Sequence, residues 1–300
     1  MTALTILDGG MGRELKRIGA PFSQPLWSAQ ALIEAPYFVK HAHESFINAG
    51  AEIITVNSYA CVPFHLGETL FSERGVELAK LAAQLARQAA DESKRNVLVA
   101  GAIPPFFGSY RPELFDAKRA GALTHALYQA QAPYVDLWLV ETISSLHEAR
   151  VIAEAMSISD KPVHFAFTLI DEVTKEAKLR SGESVKEAVA LMLNHQASGL
   201  FFNCSIPEVI EQALNDATSV INDRNTTITL GVYANSFSPI LAGHQANGTL
   251  QEMRHFSPQE YLELAKLWAQ CGATIIGGCC GIGPEHIDAL SKWKHSLIGW

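Results

Sequence analysis

The chain is short of positive charge, of cysteine and of long apolar runs, and each shortage closes off a class of function. No stretch reaches the ~18 uncharged apolar residues that a membrane-spanning helix needs, so a membrane role is not expected. Lys and Arg number 23 against 31 Asp and Glu, for a net charge of -8 with no basic cluster. Binding nucleic acid requires a patch that neutralises phosphates, and none is visible. Residues 1–10 contain no basic segment ahead of an apolar run, so no secretory leader is read and a cytoplasmic location is expected. The cysteines are five, Cys61, Cys204, Cys271, Cys279 and Cys280. An odd number in such a chain does not read as a disulfide framework; metal binding, a reactive thiol and plain burial stay open. Neither a G-x-G-x-x-G turn after a first strand nor a P-loop is present, which leaves nucleotide cofactors unsupported.

What is present is a repeating alternation. Short β-branched apolar runs occur at 4–7, 52–56, 97–100, 135–140, 163–168, 199–202, 228–232 and 274–276. They are apolar on both faces, the pattern of strands buried in a parallel sheet. Amphipathic helical patterns fall between or after them at 37–48, 75–93, 119–132, 145–157, 184–195, 207–216, 258–271 and 284–294. Several open with Pro in the first turn (Pro207, Pro258, Pro284) or a capping Ser (Ser145, Ser184). Eight strands alternating with eight helices predict a single (β/α)8 TIM barrel rather than an open doubly wound sheet. No linker or composition shift divides residues 1–300, so one domain is expected. Four irregular stretches, 10–35, 103–116, 170–182 and 234–257, each follow a strand. In a barrel they lie on the C-terminal face, where active sites are built.

Polar side chains gather where the apolar runs stop. The first run leads to Asp8, the second to Asn57 and Tyr59, the fourth to Glu141 and the sixth to Asn203 and Cys204. The seventh ends at Tyr233 and Asn235, the eighth at Gly277-Gly278-Cys279-Cys280-Gly281. The sixth and eighth strands of a barrel are one strand apart, so Cys204 can reach Cys279 and Cys280. Adjacent cysteines on a regular strand point to opposite faces, but the flanking glycines let the backbone turn both inward. Three thiolates favour zinc, and with no fourth protein ligand evident a position stays open for substrate. The competing readings are a vicinal disulfide of Cys279 and Cys280, or small buried residues at a tight turn. Zinc with three thiolates carries a net charge of about -1, so it polarises a carbonyl poorly yet keeps a bound thiol deprotonated. Attack by a substrate sulfur is therefore expected rather than hydrolysis.

Asp8 and Glu141 suit a substrate ammonium group, with capping as the alternative. Trp27, Tyr59, Phe106, Phe107, Tyr110, Tyr233 and Phe237 crowd the same loops, where a cationic methyl donor could rest against rings. His41, His43 and His286 read as structural or surface residues, Cys271 as core packing, and Cys61 as a buried residue or a pocket wall.

The run Leu7-Asp8-Gly9-Gly10-Met11, Pro25-Leu26-Trp27-Ser28-Ala29, Ala49-Gly50-Ala51 and Thr55-Val56-Asn57-Ser58-Tyr59 continues with Glu141-Thr142 and Asn203-Cys204. It closes with Gly277-Gly278-Cys279-Cys280-Gly281 and Pro284-Glu285-His286-Ile287. In order and over nearly the whole chain, these segments resemble the homocysteine S-methyltransferases. The resemblance implies a zinc barrel that transfers a methyl group to homocysteine to give methionine. It places zinc on Cys204, Cys279 and Cys280, and homocysteine against Asp8 and Glu141 with Asn57 and Tyr59 nearby. The Pro-Leu-Trp-Ser-Ala run resembles the short branch that uses S-methylmethionine or S-adenosylmethionine. Two loops depart from the usual pattern. Ile103–110 stands where many members have a Gly-Pro-Tyr-Gly type turn, and Tyr233-Ala234-Asn235 where Tyr-Pro-Asn is usual; both would face the donor. Another small thiol or selenol such as selenocysteine is the alternative acceptor, and a non-catalytic zinc- or redox-responsive protein the alternative from a different class. A thiolate site of this kind loses metal on oxidation, so a disulfide form is compatible with the function.

Overall fold

The computed structural model describes residues 4–243 and 251–298. Eight parallel strands form one sheet: β1 (Thr5–Ile6), β2 (Ile53–Thr55), β3 (Leu98–Ile103), β4 (Leu137–Ile143), β5 (Val163–Phe167), β6 (Gly199–Asn203), β7 (Thr229–Tyr233) and β8 (Ile275–Ile276). Their order, β1-β8-β7-β6-β5-β4-β3-β2, brings the first two strands to the two ends of the ladder. A parallel bridge between Leu7 and Ile53 joins those ends, making the expected TIM barrel.

The helices are α1 (Met11–Arg17), α2 (Ala29–Glu34), α3 (Tyr37–Ala49), α4 (Pro63–Leu70), α5 (Val76–Glu92), α6 (Ala117–Gln131), α7 (Leu146–Met156), α8 (Val185–Asn194), α9 (Ile210–Asp223), α10 (Pro258–Gln270) and α11 (Pro284–Ile298). α8 and α10 start with complete capping boxes, Ser184 with Glu187 and Ser257 with Glu260, which satisfy the first free backbone donors. α1 and α2 lie inside 10–35, a stretch the sequence presents as irregular, and α4 lies in an unassigned segment. All three have eight residues or fewer, too short for a helical period to stand out. The helix expected at 207–216 opens as a 3-10 turn (Pro207–Val209) and runs on to Asp223.

Two buried layers result. Leu7, Ile53, Ala100, Leu139, Phe201 and Tyr233 fill the barrel interior. A larger layer, including Ile6, Ile54, Val99, Trp138, Phe165 and Leu200, seals the sheet against the helices.

β3 and β4 both run three residues beyond their expected ends. In β3 the apparent stop, Gly101, is a packing position: it pairs with Trp138 across the ladder, and a methyl placed there would lie 2.5 Å from the Trp138 ring. That ring stacks on Tyr128 of α6 with centroids 5.0 Å apart. In β4 the polar Glu141 and Thr142 read as an end, yet both remain in the strand. No helix among the described residues is long and apolar enough to cross a membrane.

Gly101→Ala should destabilise the protein by about 1–3 kcal/mol through overpacking against Trp138. Urea unfolding followed by tryptophan fluorescence checks this; an unchanged midpoint would show that the ring can move aside.

Candidate active site at the barrel mouth

The closing seam between β1 and β2 is built partly from side chains. Asp8 Oδ2 accepts from the Thr55 backbone N–H at 2.7 Å and Oδ1 from the Thr55 hydroxyl at 3.0 Å. At the other end of the seam, Glu52 Oε2 accepts from the Ile6 backbone N–H at 2.9 Å while Lys294 donates to both Glu52 oxygens at 2.6 Å. Asp8 is thus held at the mouth by bonds to a neighbouring strand. Burial pushes its pKa up to about 7, against the lowering effect of Thr55. Glu141 faces the same space from β4. Burial first, then the nearby Asp8 carboxylate, raises it to about 8, and the Tyr233 hydroxyl donates to its Oε2 at 3.4 Å.

A cavity of about 240 Å3 opens between these groups, lined by Asp8, Asn57, Tyr59, Glu141, Cys204, Cys279 and Cys280. The seven residues that the resemblance assigns to metal and homocysteine therefore border one space. The Asn57 amide donates to the Ser28 carbonyl at 3.3 Å, and the Tyr59 and Ser109 hydroxyls lie 2.6 Å apart. Burial raises the Tyr59 phenol well above its ordinary value.

Cys204 and Cys279 are joined as a disulfide with Cα atoms 5.8 Å apart, while Cys280 is a free thiol. The bonded pair is the one spanning β6 and β8, not the adjacent Cys279 and Cys280. In this bonded form, among the described residues, no group of three or more His, Cys, Asp or Glu side chains is arranged to hold a metal ion. The surroundings suit a sulfur carrying charge nonetheless. Asn203 Nδ2 lies 3.5 Å and Thr142 Oγ1 3.7 Å from Cys204 Sγ, both as donors, and Asn203 Nδ2 also donates to Thr142 Oγ1 at 2.9 Å. Such outer donors orient and stabilise thiolate ligands. Burial holds the Cys280 thiol up at about 11, partly offset by the charge of Arg13. Gly281, at φ +87°, supplies the turn after the cysteine pair.

Four site residues hold left-handed backbone angles: Trp27 (φ +47°), Tyr110 (+65°), Thr142 (+59°) and Cys204 (+48°). For a β-branched residue such as Thr142 this is a genuine outlier, and strain of this sort gathers where geometry serves a site.

Of the aromatic residues expected at the mouth, Trp27, Tyr59, Tyr110, Tyr233 and Phe237 line the cavity. Phe106 and Phe107 do not: Phe106 is buried, and Phe107 packs edge-on to Phe115 with Arg119 over its face. Phe22 joins the lining from the segment between α1 and α2. Cys61 is fully buried and Cys271 half-buried, both away from the cavity. His286 is structural, accepting from Gly283 N–H at 3.1 Å with its Nε2 2.8 Å from the Phe256 carbonyl.

Sequence reasoning missed Thr55, Ser109 and the buried pair Asp171 and Arg180. Asp171 accepts from Arg180 at 2.8 Å, from Ile240 N–H at 2.9 Å and from Ile206 N–H at 3.0 Å, and Arg180 lies over the Tyr110 ring at 5.0 Å. One ion pair thereby ties four mouth loops together. Only an unusual Asp and Arg inside the irregular stretch 170–182 hinted at it. A second cavity, of about 460 Å3, lies beside Leu169 and Val209 and contains none of the cysteine or aromatic groups above.

The homocysteine S-methyltransferase profile matches residues 5–293. This chain belongs to that family. It is similar to homocysteine S-methyltransferase 1 of Zea mays, 27% identical over 96% of this chain and 93% of the relative. A selenocysteine Se-methyltransferase of Brassica oleracea var. italica is 26% identical over 96% of this chain and 88% of its own length. Among solved structures, the homocysteine methyltransferase MmuM of Escherichia coli in metallated form superposes with a TM-score of 0.79 at 26% identity, covering 97% of this chain and 96% of that one. Its oxidised form gives 0.78 at 27% identity over the same shares. The fold and the enzyme class expected from the sequence, a homocysteine S-methyltransferase barrel, are therefore established.

In the metal-free protein, Asp8→Asn should bring Glu141 below about 8, because a neighbouring carboxylate no longer resists its ionisation. Carbon NMR of the glutamate carboxyls between pH 5 and 9 reads the midpoint. A midpoint that stays put would mean burial alone sets it.

Proposed function

We propose that this chain transfers a methyl group from a sulfonium donor to the thiol of homocysteine, giving methionine, with zinc held by Cys204, Cys279 and Cys280. The observation that carries the reading is the convergence of three cysteines, two buried carboxyls and a ring-lined wall on one cavity. Reduction of the Cys204–Cys279 bond frees the donor set, and the hydrogen bonds from Asn203 and Thr142 favour Cys204 as a thiolate. Zinc bound by three thiolates supplies the means to keep a substrate thiol deprotonated near neutral pH.

The chain's own residues do the rest. Asp8 and Glu141 take the ammonium end of homocysteine, whose positive charge draws both carboxyls into their ionised forms. The Tyr233 hydroxyl and Thr55 keep those carboxyls in place. Trp27, Tyr59, Tyr110 and Phe237 wall the side from which a cationic donor can approach, with ring faces that stabilise its charge. Acceleration comes chiefly from aligning sulfur and methyl carbon in line within this wall.

S-Methylmethionine and S-adenosylmethionine are the candidate donors. A cytoplasmic, reducing setting would keep the thiols available, and the product would serve methionine synthesis. Selenocysteine is the second acceptor reading, supported by the name of the Brassica relative.

Freshly reduced protein should carry near-stoichiometric zinc and form methionine; Cys279→Ala should lose the metal and at least ~100-fold of turnover. Metal analysis and product chromatography on the same samples check both. Normal turnover in the variant would sink the zinc mechanism. With homocysteine saturating, at least one of S-methylmethionine and S-adenosylmethionine should be turned over, and the ratio of their kcat/KM values names the donor; turnover of neither would overturn the sulfonium reading.

A further inference from the structure

Both substrates in the proposed reaction are amino acids, so each brings a carboxylate as well as an ammonium group; the inference below rests on that reading. The cavity floor answers ammonium twice, through Asp8 and Glu141, both buried. The cavity as a whole offers a carboxylate one cationic side chain. Arg13, on α1, is exposed at the rim and is the one arginine or lysine among the described residues that lines the cavity.

Arg13 is free to bind. No hydrogen bond or ion pair engages it among the described residues, whereas Arg17, one turn along α1, is tied to Glu14 by bonds of 2.7 and 2.6 Å. Arg180 is likewise committed, to Asp171 at 2.8 Å and the Ile240 carbonyl at 2.9 Å. An unpaired guanidinium facing a cavity is suited to a planar carboxylate, which it can grip with two parallel hydrogen bonds.

We propose that Arg13 binds the α-carboxylate of the sulfonium donor and sets a preference for amino-acid donors over simpler sulfonium compounds. The two depths of the cavity assign it to donor rather than acceptor. Homocysteine, drawn to the cysteines by its thiol and to Asp8 and Glu141 by its ammonium, occupies the floor. The donor then lies above it, toward the rim where Arg13 stands.

The test compares S-methylmethionine with its carboxamide, which keeps the sulfonium and removes the negative charge. On zinc-loaded enzyme with saturating homocysteine, wild type should favour the carboxylate donor in kcat/KM. Arg13→Ala should lose about tenfold of that preference, mainly through donor KM, and Arg13→Lys should keep part of it. An unchanged preference in Arg13→Ala, or a main effect on the KM for homocysteine, would overturn the assignment. Calorimetric titration of the two donors into the reduced protein reads the same preference as a ratio of Kd values without turnover. If no donor is turned over, the methyl-transfer reading fails by itself, while loss of the binding preference in Arg13→Ala still supports Arg13 and its persistence still overturns it.

Discussion

A barrel has to close, and here closure depends on carboxylates. β1 and β2 are the two ends of the ladder, and β1 is only Thr5–Ile6. Backbone bonds from Glu52 N–H to Ile6 and from Asp8 N–H to Ile53 carry part of the seam. The carboxylates of Asp8 and Glu52 take up backbone donors at its two ends that the short ladder leaves unpaired. A buried N–H without a partner is costly, so both acids are needed where they are. At the mouth, that requirement fixes an acidic side chain on the cavity that Cys204, Cys279 and Cys280 also line. The residue that closes the seam is therefore also one that lines the cavity.

The second constraint is the left-handed backbone at Thr142 and Cys204. These residues sit at the ends of β4 and β6, and Asn203 ties them: its side-chain oxygen accepts from Thr142 N–H at 3.1 Å while its amide nitrogen points at Cys204 Sγ. The strain turns Cys204 toward β8, where Cys279 meets it. The strand ends hold the cysteine and carboxyl groups of the cavity, and the loops over them are tied together by Asp171 and Arg180. A site held in this way starts near its working geometry, which is what alignment of two substrates requires.

Much of this was legible in the residues. Both-faces-apolar runs alternating with helical patterns mark a parallel sheet covered on both faces, and their number, eight, favours a barrel over an open doubly wound sheet. Polar residues at the strand ends marked the mouth, and Asp8, Asn57, Tyr59, Glu141, Cys204, Cys279 and Cys280 all border its cavity. What escaped was short or long-range. α1, α2 and α4 lack enough turns to show a period. Gly101 looked like a stop because the ring it makes room for comes from Trp138, on the next strand. Phe106 and Phe107 looked like pocket walls because composition cannot say which way a loop side chain turns.

The sequence by itself determined the alternation, the family and the cast of reactive side chains, since periodicity and motif order are local properties of the chain. Only the tertiary structure decided which of them share a surface. It paired Cys204 with Cys279 instead of Cys279 with its neighbour, set Asp8 on Thr55, raised Glu141 through burial, and left Arg13 without a partner among the described residues at the rim. Each of these depends on distances between residues tens of positions apart, and such distances exist only once the barrel has closed.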